Sequence, residues 1–369
     1  MSLLKLNNEQ NMIRNEFRKF AVSEIEPTAE EIEKQGEFPK IIVGKLAELG
    51  LLGLIIPEQY GGVELDITSL CIAVEEISRV SASIGTILVV NNCMVAYPLM
   101  KFGNEEQKEK YLNRLAEGEI GGYICEPEID LPEEKNDLKH NEGNLFFSGH
   151  RELILNGEAA DFYVFPIQTE DFAKNFILEN SVKGLFPNPK NLLGLRTAGF
   201  MNTEFQDLPL LDENSFPMGN DELNYSRIKD IANIGFSAIS LGIAQTCMET
   251  SIKYAKERVQ FGKSISKYAV IRDILAEMKT KIETARLLVY DAASRFDNGE
   301  DYSTQAKIAR IVANETGYWC SLNAIQIHGG YGYIKDYPLE RFFRDAKVVQ
   351  HLEASSRVMK LDIARQLLK

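Results

Sequence analysis

Residues 326–345 read QIHGGYGYIKDYPLERFFRD. The segment from Thr304 to His328 has helical periodicity, and Gly329-Gly330 follows its end. Paired glycines after a helix have two readings. They make a simple turn, or they let backbone N–H groups come close to an anion because no Cβ intervenes. The glycines alone leave both open. Eight residues beyond Asp345 stands Glu353, within Leu352-Glu353-Ala354-Ser355-Ser356. By itself, a glutamate at a helix edge reads as a solvated surface residue. Its neighbours Val348, Val349, Leu352 and Ala354 are compatible with an apolar pocket that would raise its pKa.

Outward from this stretch, the texture sorts into three parts. Ile228 to Arg258, Ile265 to Asp297 and Thr304 to His328 are long, periodic segments, and their length favours a helical bundle. Segments 121–125, 144–148, 162–168 and 203–206 are short, aromatic or β-branched, and separated by turn residues, which predicts strands. The polar run from Glu126 to Asn141 reads as a loop. Residues before about 119 read as helices, with apolar residues at helical spacing from Met12 to Ala21 and again over Ile41–Leu49, Leu70–Val80, Ile84–Met100 and Glu105–Leu115. The expected order is an N-terminal helical domain (1–119), a small middle β domain (120–224) and a C-terminal helical bundle (225–369).

Composition narrows the class. The 369 residues carry a net charge of −13, which argues against a nucleic-acid backbone as the main partner. The five cysteines are dispersed without C-x-x-C spacing, so neither a metal site nor a redox dithiol is expected. An odd count suits a reducing cytosol. No leader-like apolar segment opens the chain and no apolar run is expected to span a membrane, so the expected location is cytoplasmic.

Three motifs carry a resemblance along nearly the whole chain. Arg258-Val259-Gln260-Phe261-Gly262 is similar to R-x-Q-F-G, Gln326 to Gly332 to Q-x-H-G-G-x-G, and Tyr337 to Asp345 to Y-P-x-E-R-x-x-R-D, all of the acyl-CoA dehydrogenase superfamily. Leu46 to Gly53, with Pro57 and Tyr60-Gly61-Gly62, resembles its N-terminal signature, and Gly103 to Glu119 its approach to the β domain. The resemblance implies a mainly α fold with a small β domain and a C-terminal four-helix bundle. It implies FAD as cofactor, shared between subunits. Arg258 and Gln260 would approach the pyrophosphate and Phe261 would pack on the adenosine. Gln326, Gly329 and Gly330 would reach the same half from an adjacent subunit, and Ser355 keeps a hydroxyl near the cofactor. Glu353 corresponds to the base that removes a substrate α-proton beside a thioester while flavin takes hydride. The alternative family position for that base falls on Ala232, which cannot accept a proton. The implied partners are an acyl group on CoA or a carrier protein, an electron-transfer partner, and further copies of the chain in a homotetramer.

The flavin-facing motifs depart from the family. Cys125 to Pro132 lacks the hydroxyl residue and the Gly-Ser pair of [TS]-E-P-x-A-G-S-D. Leu153 and Leu155 replace the aromatic and hydroxyl residues of G-x-K-x-W-I-[TS]-N-G, and Asn233 stands where the family often has Arg. A second reading follows: a degenerate, non-catalytic subunit of a heteromer.

Overall fold

The computed structural model describes residues 6–126, 137–141, 144–169, 172–218, 222–352 and 355–368. Seven helices come first: α1 (Asn8–Phe20), α2 (Ala29–Gln35), α3 (Lys40–Glu48), α4 (Ile67–Ser78), α5 (Ala82–Val89), α6 (Tyr97–Phe102) and α7 (Glu105–Ala116). Their starts follow local chemistry. Asn7 and Asn104 open α1 and α7 with reciprocal capping boxes, each pairing with a glutamine three residues on. The expected single helix over Ile84–Met100 is instead α5 and α6 joined by a π-helical stretch, Val90–Ala96. There Asn91 and Asn92 turn inward, and their amides donate to the carbonyls of Leu52 and Leu51 at 2.8 and 3.0 Å.

The strands are β1 (Gly121–Ile124), β2 (Asp137–Asn141), β3 (Asn144–Leu155), β4 (Phe162–Gln168), β5 (Ala173–Glu179), β6 (Leu185–Pro189), β7 (Met201–Leu210) and β8 (Ser215–Pro217). They form one sheet in the order β6-β7-β3-β1-β4-β5-β8, with β2 paired to β3. Residues 137–141 are therefore strand rather than loop, because the long β3 offers a partner that the polar sequence does not advertise. Phe147, Phe165 and Phe205 fill the sheet's own core, with Phe165 stacked on Phe205 at 5.1 Å.

The C-terminal part holds α8 (Glu222–Glu257), a hairpin of β9 (Val259–Gln260) and β10 (Lys263–Ser264), then α9 (Ala269–Asp297), α10 (Ser303–His328), α11 (Leu339–Val349) and α12 (Ser356–Leu367). One apolar core runs without a break from the N-terminal helices into this bundle. Ala82–Phe102 and Lys229–Glu257 are long and apolar enough to cross a membrane by length and composition alone. Both are 89% buried within the protein over their apolar windows, so the core itself takes up their surface.

Polar groups tie the bundle at depth. Lys307 of α10 meets Asp230 of α8 at 2.7 Å, and both are buried. Ser303 also donates to Asp230, at 2.5 Å. Burial is the main influence on Asp230 and raises its pKa, against the pull of Lys307. Further along, Ser240 donates to Asn314 at 2.9 Å.

Candidate cofactor site

A cavity of about 430 Å³ lies where the end of α8, the β9–β10 hairpin and the end of α10 meet. Arg258, Gln260, Gln326, Gly329 and Gly330 all line it, together with Tyr254, His328 and Tyr331. The resemblance had assigned the first two and the last three to different subunits. Here one protomer brings all five together, because α8 and α10 pack side by side and end at the same level.

The hairpin explains how Arg258 is held. Phe261 and Gly262 form its two-residue turn, with φ of +51° and +78°. Two positive values are what a tight hairpin needs, and Phe is a costly residue for the first. At the tip of the hairpin the Phe261 side chain is 94% exposed, outside the cavity lining. Arg258 sits at the hairpin's base, its guanidinium 5.5 Å from the centre of the Tyr331 ring. With the Gln260 amide oriented to satisfy both partners, its oxygen accepts from Arg258 Nε at 3.2 Å and Nη2 at 2.6 Å.

The other wall is the glycine pair. Gly329 has φ +58° and ψ −131°, a conformation essentially reserved for glycine. A Cβ added at Gly329 or Gly330 would meet nothing within 4 Å, so this backbone faces open space. Behind it, His328 is buried and stacks on Tyr254 at 4.1 Å. Its Nδ1–H donates to the Ala324 carbonyl at 2.8 Å, which makes Nε2 the unprotonated nitrogen of a neutral ring. Burial lowers its pKa, consistent with that neutral state. The donor set fits a dinucleotide's phosphates: a fixed guanidinium opposite open glycine backbone. Arg258, Gln260, Gln326, Gly329 and Gly330 would hold FAD at its adenosine–pyrophosphate end.

The flavin-facing positions lie elsewhere. Leu155 is fully buried opposite Tyr123, and Leu153 is half-buried with its carbonyl accepting from the Cys125 amide at 3.0 Å. None of Cys125, Leu153 and Leu155 lines the cavity. Glu126 reaches Lys229 of α8 at 2.9 Å and ties this edge of the sheet to the bundle. Ala232 and Asn233 are buried on α8, where the Asn233 amide donates to Asp230 at 3.3 Å. Pro127 to Pro132, Glu353 and Ala354 lie outside the described residues. Ser355 is the residue before α12 and makes no side-chain cap there.

A larger groove, about 570 Å³, runs between α2, the end of α4 and the start of α11. Several of its charges are paired: Arg344 with Glu33 and Glu340, Arg79 with Glu76 and Glu249. Tyr254 and Tyr331 were missed in sequence. Tyr331 had a local signal, since it sits inside the glycine motif; Tyr254 had none, being one of several aromatic residues on an ordinary helix.

Comparison with known proteins identifies the family and the fold. Residues 7–119 match the family model described as acyl-CoA dehydrogenase, N-terminal domain, and residues 223–368 that of the C-terminal domain. An acyl-CoA dehydrogenase of Bacillus subtilis is 37% identical over 99% of both chains. Among solved structures, butyryl-CoA dehydrogenase from Megasphaera elsdenii superposes with a TM-score of 0.93 at 32% identity, covering 99% of this chain and 100% of that one. A chain from a structure of the electron transferring flavoprotein of Acidaminococcus fermentans also reaches 0.93, at 35% identity and 99% coverage of each. Fold, motif geometry and full-length similarity together place this chain in the acyl-CoA dehydrogenase family.

Proposed function

We propose that this chain is an FAD-dependent acyl-thioester dehydrogenase that forms a double bond between the α and β carbons. The observation that carries the reading is the cavity in which Arg258 and Gln260 face Gln326 and Gly329-Gly330. It occurs in a chain that matches an acyl-CoA dehydrogenase along 99% of both lengths. When bound, FAD supplies the acceptor for the hydride that leaves Cβ. Glu353 accepts the α-proton, and the electrons of that C–H bond become the new C=C bond. Ala232 offers no second base. The substrate is an acyl thioester on CoA or on a carrier protein. The non-catalytic reading is not favoured, given relatives that are dehydrogenases over their full length. Buried Leu155 also has a packing role that accounts for its apolar type.

Similarity to a chain from an electron transferring flavoprotein structure supports a protein partner that collects the electrons. Five free, buried cysteines support a reducing, cytoplasmic setting. Assembly into a homotetramer is supported by the separation of the two half-sites: the adenosine end is lined within one protomer, while the flavin-facing positions lie outside that cavity.

Glu353→Gln tests the reading. Gln keeps the shape but cannot take the proton, and loss of a general base costs about 10²–10⁴-fold. The variant should fold and retain its yellow flavin, yet fail to bleach when an acyl-CoA is added without oxygen. Bleaching at the parent's rate would assign the base elsewhere.

A further inference from the structure

Arg310 heads the large side chains that are completely buried, at 0% exposure. It projects from the first half of α10. Its guanidinium carbon lies 4.6 Å from the centre of the Phe236 ring on α8. Its Nη2 donates to the Val349 carbonyl at 2.7 Å and to the Leu352 carbonyl at 3.3 Å. Burying a cation is expensive, and a guanidinium is kept inside a protein where its planar fork has defined acceptors.

The two acceptors differ in meaning. Val349 is the last residue of α11, so its carbonyl belongs to the negative end of that helix. A helix-capping role accounts for this contact. Leu352 lies beyond the cap, Gln350, and its carbonyl is half of the peptide bond that joins it to Glu353. Gln350 is held in turn by Asn314, one helical turn further along α10, whose carbonyl accepts from its amide at 3.3 Å. Thus α10 grips the segment leading to Glu353 at two levels.

We infer that Arg310 is a positioning residue for Glu353: it anchors the Leu352 carbonyl, one residue before the base. The inference rests on the reading of Glu353 as base. Displacement of a reacting group by an ångström costs on the order of 10²-fold in rate, so a peptide anchor has kinetic leverage. Arg310→Lys keeps a charge and N–H donors; Arg310→Gln removes the charge.

The experiment compares parent, Arg310→Gln, Arg310→Lys and Glu353→Gln as FAD-loaded full chains. It uses butyryl-CoA and butyryl-CoA deuterated at the α carbon. Expected for Arg310→Gln are parental flavin content and KM within about threefold, a kcat lower by roughly 10²-fold, and a larger α-deuterium effect on kcat. Arg310→Lys should recover most of the kcat. If Arg310→Gln does not fold, the same pattern in milder form is required of Arg310→Lys. An unchanged isotope effect with parental kcat overturns the inference, as does a loss confined to flavin content and melting temperature. Parental turnover in Glu353→Gln would instead sink the base assignment, which separates the two failures.

Discussion

Arg258 is the cofactor ligand proposed here, read from a sequence motif and found in the lining of the cavity. It stands in a five-residue motif, and the hairpin holds its guanidinium against Gln260 and Tyr331 at the rim of the cavity. A charge-assisted contact contributes about 1.5–3 kcal/mol, so Arg258→Ala should weaken FAD binding roughly 10- to 150-fold. Titration of the apoprotein with FAD, followed by flavin fluorescence, measures this directly; equal affinities would remove Arg258 from the site. Phe261 shows the limit of motif reading. Its letter was legible, but its position at a strained turn, 94% exposed, follows from hairpin geometry. Arg310 was not legible at all. An Arg in a periodic helix reads as a surface charge, and only the packing of α10 against α8 and α11 encloses it.

At the scale of elements, helix starts divide into two kinds. Those of α1 and α7 are written locally, as Asn followed three residues later by Gln. The start of α4 is written twice. Asp66 caps it from next door, accepting from the Ser69 amide at 2.7 Å. Asp297, the last residue of α9, accepts from the Ile67 and Thr68 amides at 2.9 and 3.0 Å and from the Thr68 hydroxyl at 2.6 Å. This second cap joins the N-terminal helices to the bundle. Removing a helix N-cap costs about 0.5–2 kcal/mol, and Asp297→Ala should fall in that range. The expected result is a lower urea midpoint with an unchanged slope. A midpoint equal to the parent's would mean that Asp66 alone suffices.

At the scale of the molecule, apolar groups remain uncovered on the C-terminal part: Val259, Phe261, Val270, Tyr333, Leu367 and Leu368 are all exposed. Together with a cofactor cavity that does not include the flavin-facing residues, this leads to the expectation that the protein assembles in solution. Light scattering should give a mass of four chains, 41.6 kDa each, or at least two; a monomer at micromolar concentration would contradict it. What the sequence determined by itself is the set of local decisions. Apolar spacing in α8, α9 and α10 settles helix against strand, the asparagine caps settle where helices begin, and three motifs single out the residues of the site. These depend on neighbours within a few positions, so they survive reading one residue at a time. Only the tertiary structure decided that Arg258 and Gln326, 68 positions apart, share one cavity of one protomer. It alone placed Asp297 on a helix start 230 residues away and Arg310 on the peptide leading to Glu353. Those pairings rest on which helix faces pack together, a property of the whole apolar core rather than of any segment in it.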